Sequence, residues 1–115
     1  MISIEAARKL ALSLPEVVES SHMGTPDFRV NKKIFATIHV DKNLMMVKLT
    51  PHEQSVFCAY DKDTMYPVPG GWGLRGATFV NLKKVRKSML VDALTTAWKT
   101  VASRKLTEKY FPRSS

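Results

Sequence analysis

The sequence predicts an α+β fold: one compact domain whose mainly antiparallel sheet is flanked by helices, in the order α-β-β-β-β-α-β-β-α. Three observations carry this. Residues 24–50 read as strand, tight turn, strand, tight turn, strand, with no break long enough for a crossover helix, so the pairings are antiparallel. Thr50-Pro51-His52-Glu53 then forms a capping box, with Thr50 as N-cap, proline at the first helical position and glutamate three residues on. Near the end, Met89, Leu90, Ala93, Leu94, Ala97, Trp98 and Val101 make an apolar stripe wide enough to cover a sheet.

Ser3 is placed to cap a first helix over residues 4–14, in which Ile4, Ala7, Leu10, Ala11 and Leu14 share a face. Pro15 ends it, because the residue before a proline is pushed out of helical geometry. Residues 17–22 read as a strand, Gly24-Thr25-Pro26 as a turn, and Asp27–Val30 as the next strand. After a turn at Asn31-Lys32, residues 34–40 alternate. Ile34, Ala36, Ile38 and Val40 are expected on one side, with Phe35, Thr37 and His39 on the other. Asp41-Lys42-Asn43 turns the chain into the strand 44–49.

The capped helix runs to Tyr60, with Val56, Phe57 and Tyr60 as its expected apolar side, and Asp61-Lys62-Asp63 ends it. Met65–Pro69 is extended, but two prolines bar it from the middle of a sheet. Gly70–Gly76 is expected to be a loop, residues 77–82 a strand and residues 86–102 the last helix. Residues 1–106 are assigned to the domain, and 107–115 to a basic C-terminal tail expected to be flexible.

At 115 residues the chain has the size of a single core. No apolar run approaches the roughly 20 residues of a membrane span, and Met1-Ile2-Ser3 leads straight into a helical pattern. A cytoplasmic location without membrane contact is the expectation. The lone Cys58 excludes an internal disulfide and is read as inert filler.

The net charge of +8 points outward and is uneven. Residues 1–57 hold seven Lys/Arg against six Asp/Glu, giving +1, whereas residues 58–115 hold eleven against four, giving +7. Between Thr64 and Val91 there are basic residues (Arg75, Lys83, Lys84, Arg86, Lys87) and no acidic one. Such a bias is the footprint of a phosphate-binding surface.

Residues 4–106 also carry an ordered set of short motifs: Leu14-Pro15 followed by Val18-Glu19, then Gly24-Thr25-Pro26, Phe28, Val30, Lys33 and Phe35-Ala36. Lys48, Pro51 and Glu53 come next, then Gly71-Trp72-Gly73, and finally Ala93–Trp98 with Val101-Ala102 and Lys105-Leu106. In this order they resemble the MmcQ/YjbR family. The resemblance implies an α+β domain with an antiparallel sheet. It also implies DNA binding, for which paired hairpin wings have been suggested as the contact surface. It brings no catalytic residues with it. The extra glycine pattern before the last strand is a departure from the family.

Gly71-x-Gly73-x-x-Gly76 matches the spacing of a dinucleotide-binding fingerprint, but that motif must follow a strand and open a helix, whereas this one precedes a strand. It is read as a structural loop whose glycines permit positive φ and let Trp72 fold onto the sheet; the competing reading has its amides and Arg75 holding a phosphate. His22, His39 and His52 lack metal-site spacing, and Asp61-Lys62-Asp63 lacks the glycine and glutamate of a calcium loop, so no metal or cofactor is expected. Trp98 and Trp72 are both expected in the core, Trp72 with the alternative of stacking on a base.

The functional expectation is a non-enzymatic domain that binds nucleic acid, weakly sequence-specific and salt-sensitive. Lys32 and Lys33 at a hairpin tip, with Arg75, Lys83, Lys84, Arg86 and Lys87, would grip phosphates, and Trp72 would stack. Tip lysines also discourage edge aggregation, and the 83–87 run is otherwise an ordinary solvated charge cluster opposing a helix dipole. Six phosphate contacts would give a log-log salt slope of about −5. That reading requires the cations to form one continuous face. The alternative is a protein-interaction module or homodimer using a sheet edge or the Met45, Met46 and Trp72 surface. An enzyme would need a deep pocket with a histidine or carboxylate of shifted pKa.

Overall fold

The computed structural model describes residues 1–112. Its elements are α1 (Ile4–Leu12), β1 (Val18–His22), β2 (Thr25–Val30), β3 (Lys33–His39), β4 (Leu44–Lys48), α2 (Pro51–Tyr60), β5 (Met65–Pro67), α3 (Gly71–Leu74), β6 (Ala77–Asn81), α4 (Lys87–Val101) and α5 (Arg104–Tyr110). The six strands form one antiparallel sheet in the order β1-β2-β3-β4-β6-β5. Proline-bearing β5 takes an edge, where a missing ladder donor costs nothing.

Local chemistry sets the boundaries. Ser3 accepts from the Ala6 amide, and at α2 both halves of the capping box form: Glu53 N–H to Thr50 Oγ1 at 3.1 Å, and Thr50 N–H to Glu53 Oε1 at 2.8 Å. Asn31 and Lys32 both have positive φ, as a two-residue hairpin turn demands. The first hairpin turns one residue earlier than expected, at Met23-Gly24, so Thr25 and Pro26 already belong to β2.

One face of the sheet is core. Phe28, Ala36, Ile38, Met45, Val47 and Val80 point into it, against Leu90, Ala93, Leu94, Ala97 and Trp98 of α4, with Ala7 and Ala11 of α1 completing the layer. Alternation along β3 differs from the expectation. Phe28 pairs with Ala36 but the next residue, Arg29, pairs with Ile34, so Phe35 is the extra residue of a bulge. The bulge turns Phe35 into the core and leaves Ile34 on the opposite face with Thr37.

Three further expectations are corrected. The inward line of α2 is Glu53, Gln54, Phe57 and Cys58, while Val56 and Tyr60 stay exposed. The helix meets the body along one narrow stripe, and Gln54 belongs to it because its side-chain amide donates to the carbonyls of Gly73 (2.9 Å) and Ala77 (3.0 Å). The glycine segment contains the single turn α3. Past residue 102 the chain forms α5, which crosses the expected boundary at 106/107. Tyr110 and Phe111 lie edge-on to Trp98, with ring centroids at 6.4 and 5.1 Å. The end of the expected tail, residues 113–115, lies outside the described residues.

Candidate functional site

The face of the sheet away from α1 and α4 is open. Pairing places Asp27, Thr37, Met46, Phe79 and Tyr66 in one row across it, with His39, Leu44 and Asn81 in the next. At the other end of the strands this face deepens into a cleft of about 600 Å³. Ile34, Thr37, Met46 and Ala77 make its floor; Arg29, Lys32, Lys33, Lys48, Trp72 and Arg75 stand round it.

Trp72 is held there by backbone constraints. Gly76 has φ +112°, and a Cβ on it would sit 1.9 Å from the Leu49 carbonyl oxygen; a Cβ on Gly73 would sit 1.8 Å from that of Val68. The segment therefore packs backbone to backbone against its neighbours, and Gln54 fixes it from the other side. The consequence is a correction: Trp72 stands over the cleft at 69% exposure instead of entering the core, whereas Trp98 is fully buried.

The charges of the cleft fall into two kinds. Asp27, only 1% exposed, receives two hydrogen bonds from Arg29, Nε at 2.9 Å and Nη2 at 3.1 Å. That hydrogen bonding and charge raise the Arg29 pKa further and neutralise it locally. Lys32, Lys33, Lys48 and Arg75 have no carboxylate within ion-pair distance among the described residues.

The second basic group lies elsewhere. Lys83, Lys84, Arg86 and Lys87 follow the Asn81 end of β6, while Arg75 precedes its Ala77 end, so a strand of about 13 Å at 3.3 Å per residue separates them. Lys84 and Arg86 line a different cleft, of about 480 Å³, together with Asp61 and Asp92. There the Asp61 carboxyl is held below its usual range, chiefly by hydrogen bonds from the Thr64 hydroxyl and the Asp63 amide, with Lys84 adding a smaller pull. The requirement of one continuous cationic face is not met: Lys32, Lys33, Trp72 and Arg75 converge, whereas the 83–87 run lies at the far end of β6, where Lys84 and Arg86 share a cleft with Asp61 and Asp92. Met45 likewise leaves the expected Met45/Met46 surface, because alternation sends it into the core.

Sequence reasoning missed Arg29 and Lys48. The signal for Lys48 was present, since it lies two residues from Met46 on one strand and shares its face. Cys58 is half-buried, and that burial pushes its thiol pKa up, away from nucleophilic character. His39 donates to or accepts from Thr37 Oγ1 at 3.2 Å and stands edge-on to Phe79 at 5.4 Å. Among the described residues, no group of three or more His, Cys, Asp or Glu could hold a metal ion, and no helix is long and apolar enough to cross a membrane.

Fold and cleft together define a class: a small α+β domain whose sheet is covered on one side and presents a cation-rimmed apolar floor on the other. The model of the YjbR family matches residues 12–100, and the chain belongs to that family. A Deinococcus radiodurans protein with a DUF419 domain is similar in structure, with TM-score 0.76 and 15% identity over 95% of this chain and 88% of that one. A Pseudomonas syringae protein is similar at TM-score 0.66 and 12% identity, over 86% and 98%. At these identities the likeness is one of fold. No curated protein matches the sequence.

Proposed function

We propose that this YjbR chain is a non-catalytic nucleic-acid-binding domain that uses the open face of its sheet. One observation carries the reading: Lys32, Lys33, Lys48 and Arg75 surround a single cleft, and among the described residues none of them has a carboxylate within ion-pair distance. Four cations gathered round one cleft favour a polyanion, whose phosphates would supply the opposite charge. Lys84 and Arg86, which share their cleft with Asp61 and Asp92, are left out of the site.

The test is fluorescence anisotropy of a labelled oligonucleotide, in duplex and single-stranded form, starting at about 50 mM salt. Four phosphate contacts give a log-log salt slope of about −3.6 on duplex and −2.8 on a single strand. Binding of neither form at low salt removes the proposal.

A protein contact is the second reading, favoured by Leu74, which is exposed beside Trp72 on α3. Concentration-dependent dimerisation, abolished by Leu74→Glu and indifferent to salt, would support it instead.

A further inference from the structure

The rim of the cleft explains affinity for phosphates, but not the floor. Ile34, Met46 and Ala77 offer no polar atom to a ligand. The two polar side chains beside them are already engaged, Thr37 with His39 and Asp27 with Arg29. A duplex keeps its bases stacked and turns phosphates and sugars outward, so it would cover this floor with groups that gain nothing from it. Unpaired bases are different: they are flat, apolar on both faces and joined to phosphates, matching a floor of this kind inside a ring of cations.

The sheet register extends the match. Met46 of the floor pairs with Phe79, and Phe79 pairs with Tyr66. Both aromatic rings are half-buried on the open face, with centroids 5.9 Å apart. The apolar floor therefore runs on into an aromatic surface across three neighbouring strands, each about 4.8 Å from the next. Trp72 stands exposed at the other end of this track.

Resting on the nucleic-acid reading, we infer that the ligand is single-stranded DNA, with one base stacked on Trp72 and a following base packed against the edge-to-face pair of Phe79 and Tyr66. Deoxyribose is favoured over ribose because a 2′-hydroxyl laid on Ile34, Met46 or Ala77 would give up water there, and the one hydroxyl of the floor, on Thr37, is already bonded to His39.

The experiment titrates the full chain with oligo-dT, an oligo-dA·oligo-dT duplex and oligo-U, following intrinsic fluorescence and anisotropy together. Trp98 is fully buried and gives a constant background, so a ligand-dependent change reports Trp72. Oligo-dT should quench that emission and bind about tenfold more tightly than the duplex, the scale of one stacked base. Trp72→Ala should lose about tenfold on oligo-dT and little on duplex, and Trp72→Phe should recover most of the loss. Equal affinity for duplex and oligo-dT, with Trp72→Ala neutral, overturns the inference while leaving the phosphate reading in place. Oligo-U binding as tightly as oligo-dT overturns the choice of DNA. Absence of binding to all three overturns both readings.

Discussion

The indole Nε1–H of Trp98 donates to the carbonyl oxygen of Pro15 at 2.9 Å, a bond between residues 83 positions apart. It ties the segment just after α1 to the last turn of α4, and Tyr110 and Phe111 close over the same ring. Trp98→Phe keeps an aromatic ring but leaves the Pro15 carbonyl without its donor. The expected cost is about 2 kcal/mol, from a lost part-buried hydrogen bond and a small cavity. A fall in the urea midpoint at unchanged m-value measures it. An unchanged midpoint would mean that water reaches Pro15 and the bond contributes little.

Gly71 and Gly76, five residues apart, should respond to the same substitution differently. Gly76→Ala places a Cβ on a left-handed backbone and against the Leu49 carbonyl, so it should destabilise by about 2 kcal/mol or more. Gly71→Ala meets nothing within 4 Å and has no positive φ, so its effect should stay within about 0.5 kcal/mol. Thermal unfolding of the two variants side by side decides the matter. Equal melting temperatures would show that the α3 segment can shift to admit a side chain.

His39 sets a pH dependence. Burial on the sheet lowers its pKa below the usual 6.5, the nearby Lys42 lowers it further, and Asp41 opposes them in part. The unfolded chain thus binds the proton more readily than the folded one. Stability should be full above pH 6.5 and fall progressively below it, down through the depressed folded-state value. His39→Gln should flatten the stability curve in the region below pH 6.5. The depressed Asp61 carboxyl acts in a separate window, its contribution being lost only as the pH drops below about 4. A wild-type curve with no slope between pH 7 and 5 would exclude the role assigned to His39.

Charge reversals should distinguish the two basic groups. Lys32→Glu with Lys48→Glu should abolish oligonucleotide binding, because it reverses two of the four cations round the cleft that have no ion pair among the described residues. Lys83→Glu with Lys87→Glu should change affinity by less than about threefold at 0.1 M salt, where charges beyond about 10 Å are screened. Circular dichroism checks that both double variants stay folded. Greater loss from the second pair would move the site to the other end of β6.

Breaking the Asp27–Arg29 pair should trade stability for binding. Asp27→Asn removes a buried carboxylate that holds Arg29 by two hydrogen bonds, so the melting temperature should fall. The released guanidinium should also join the rim and tighten oligonucleotide binding at low salt. A variant that melts lower but binds no better would show that Arg29 points away from the ligand.

Much of the fold was legible because it follows from neighbours in the chain. Ser3 and Thr50-Glu53 announce helix starts through short-range hydrogen bonds, prolines confine β5 to an edge, and the apolar spacing of α4 marks its buried side. The bulge at Phe35 was not legible, because strict alternation is the only pattern a linear reading supplies. Only the partner strand decides where one extra residue is accommodated. α5 was obscured by its polar composition, since its ordering depends on Tyr110 and Phe111 finding Trp98.

By itself the sequence determined the antiparallel meander, the capped starts of α1 and α2 and an excess of positive charge towards the C-terminal half, properties carried by the residues themselves or by near neighbours in the chain. The tertiary structure alone decided which cations meet. Lys32 and Lys33 join Lys48 and Arg75 because β2, β3, β4 and the α3 segment converge at one end of the sheet, whereas Lys83–Lys87 leave from the opposite end of β6. Sequence distance measures chain length, but electrostatic attraction depends on separation in space, and only the pairing of strands converts the one into the other.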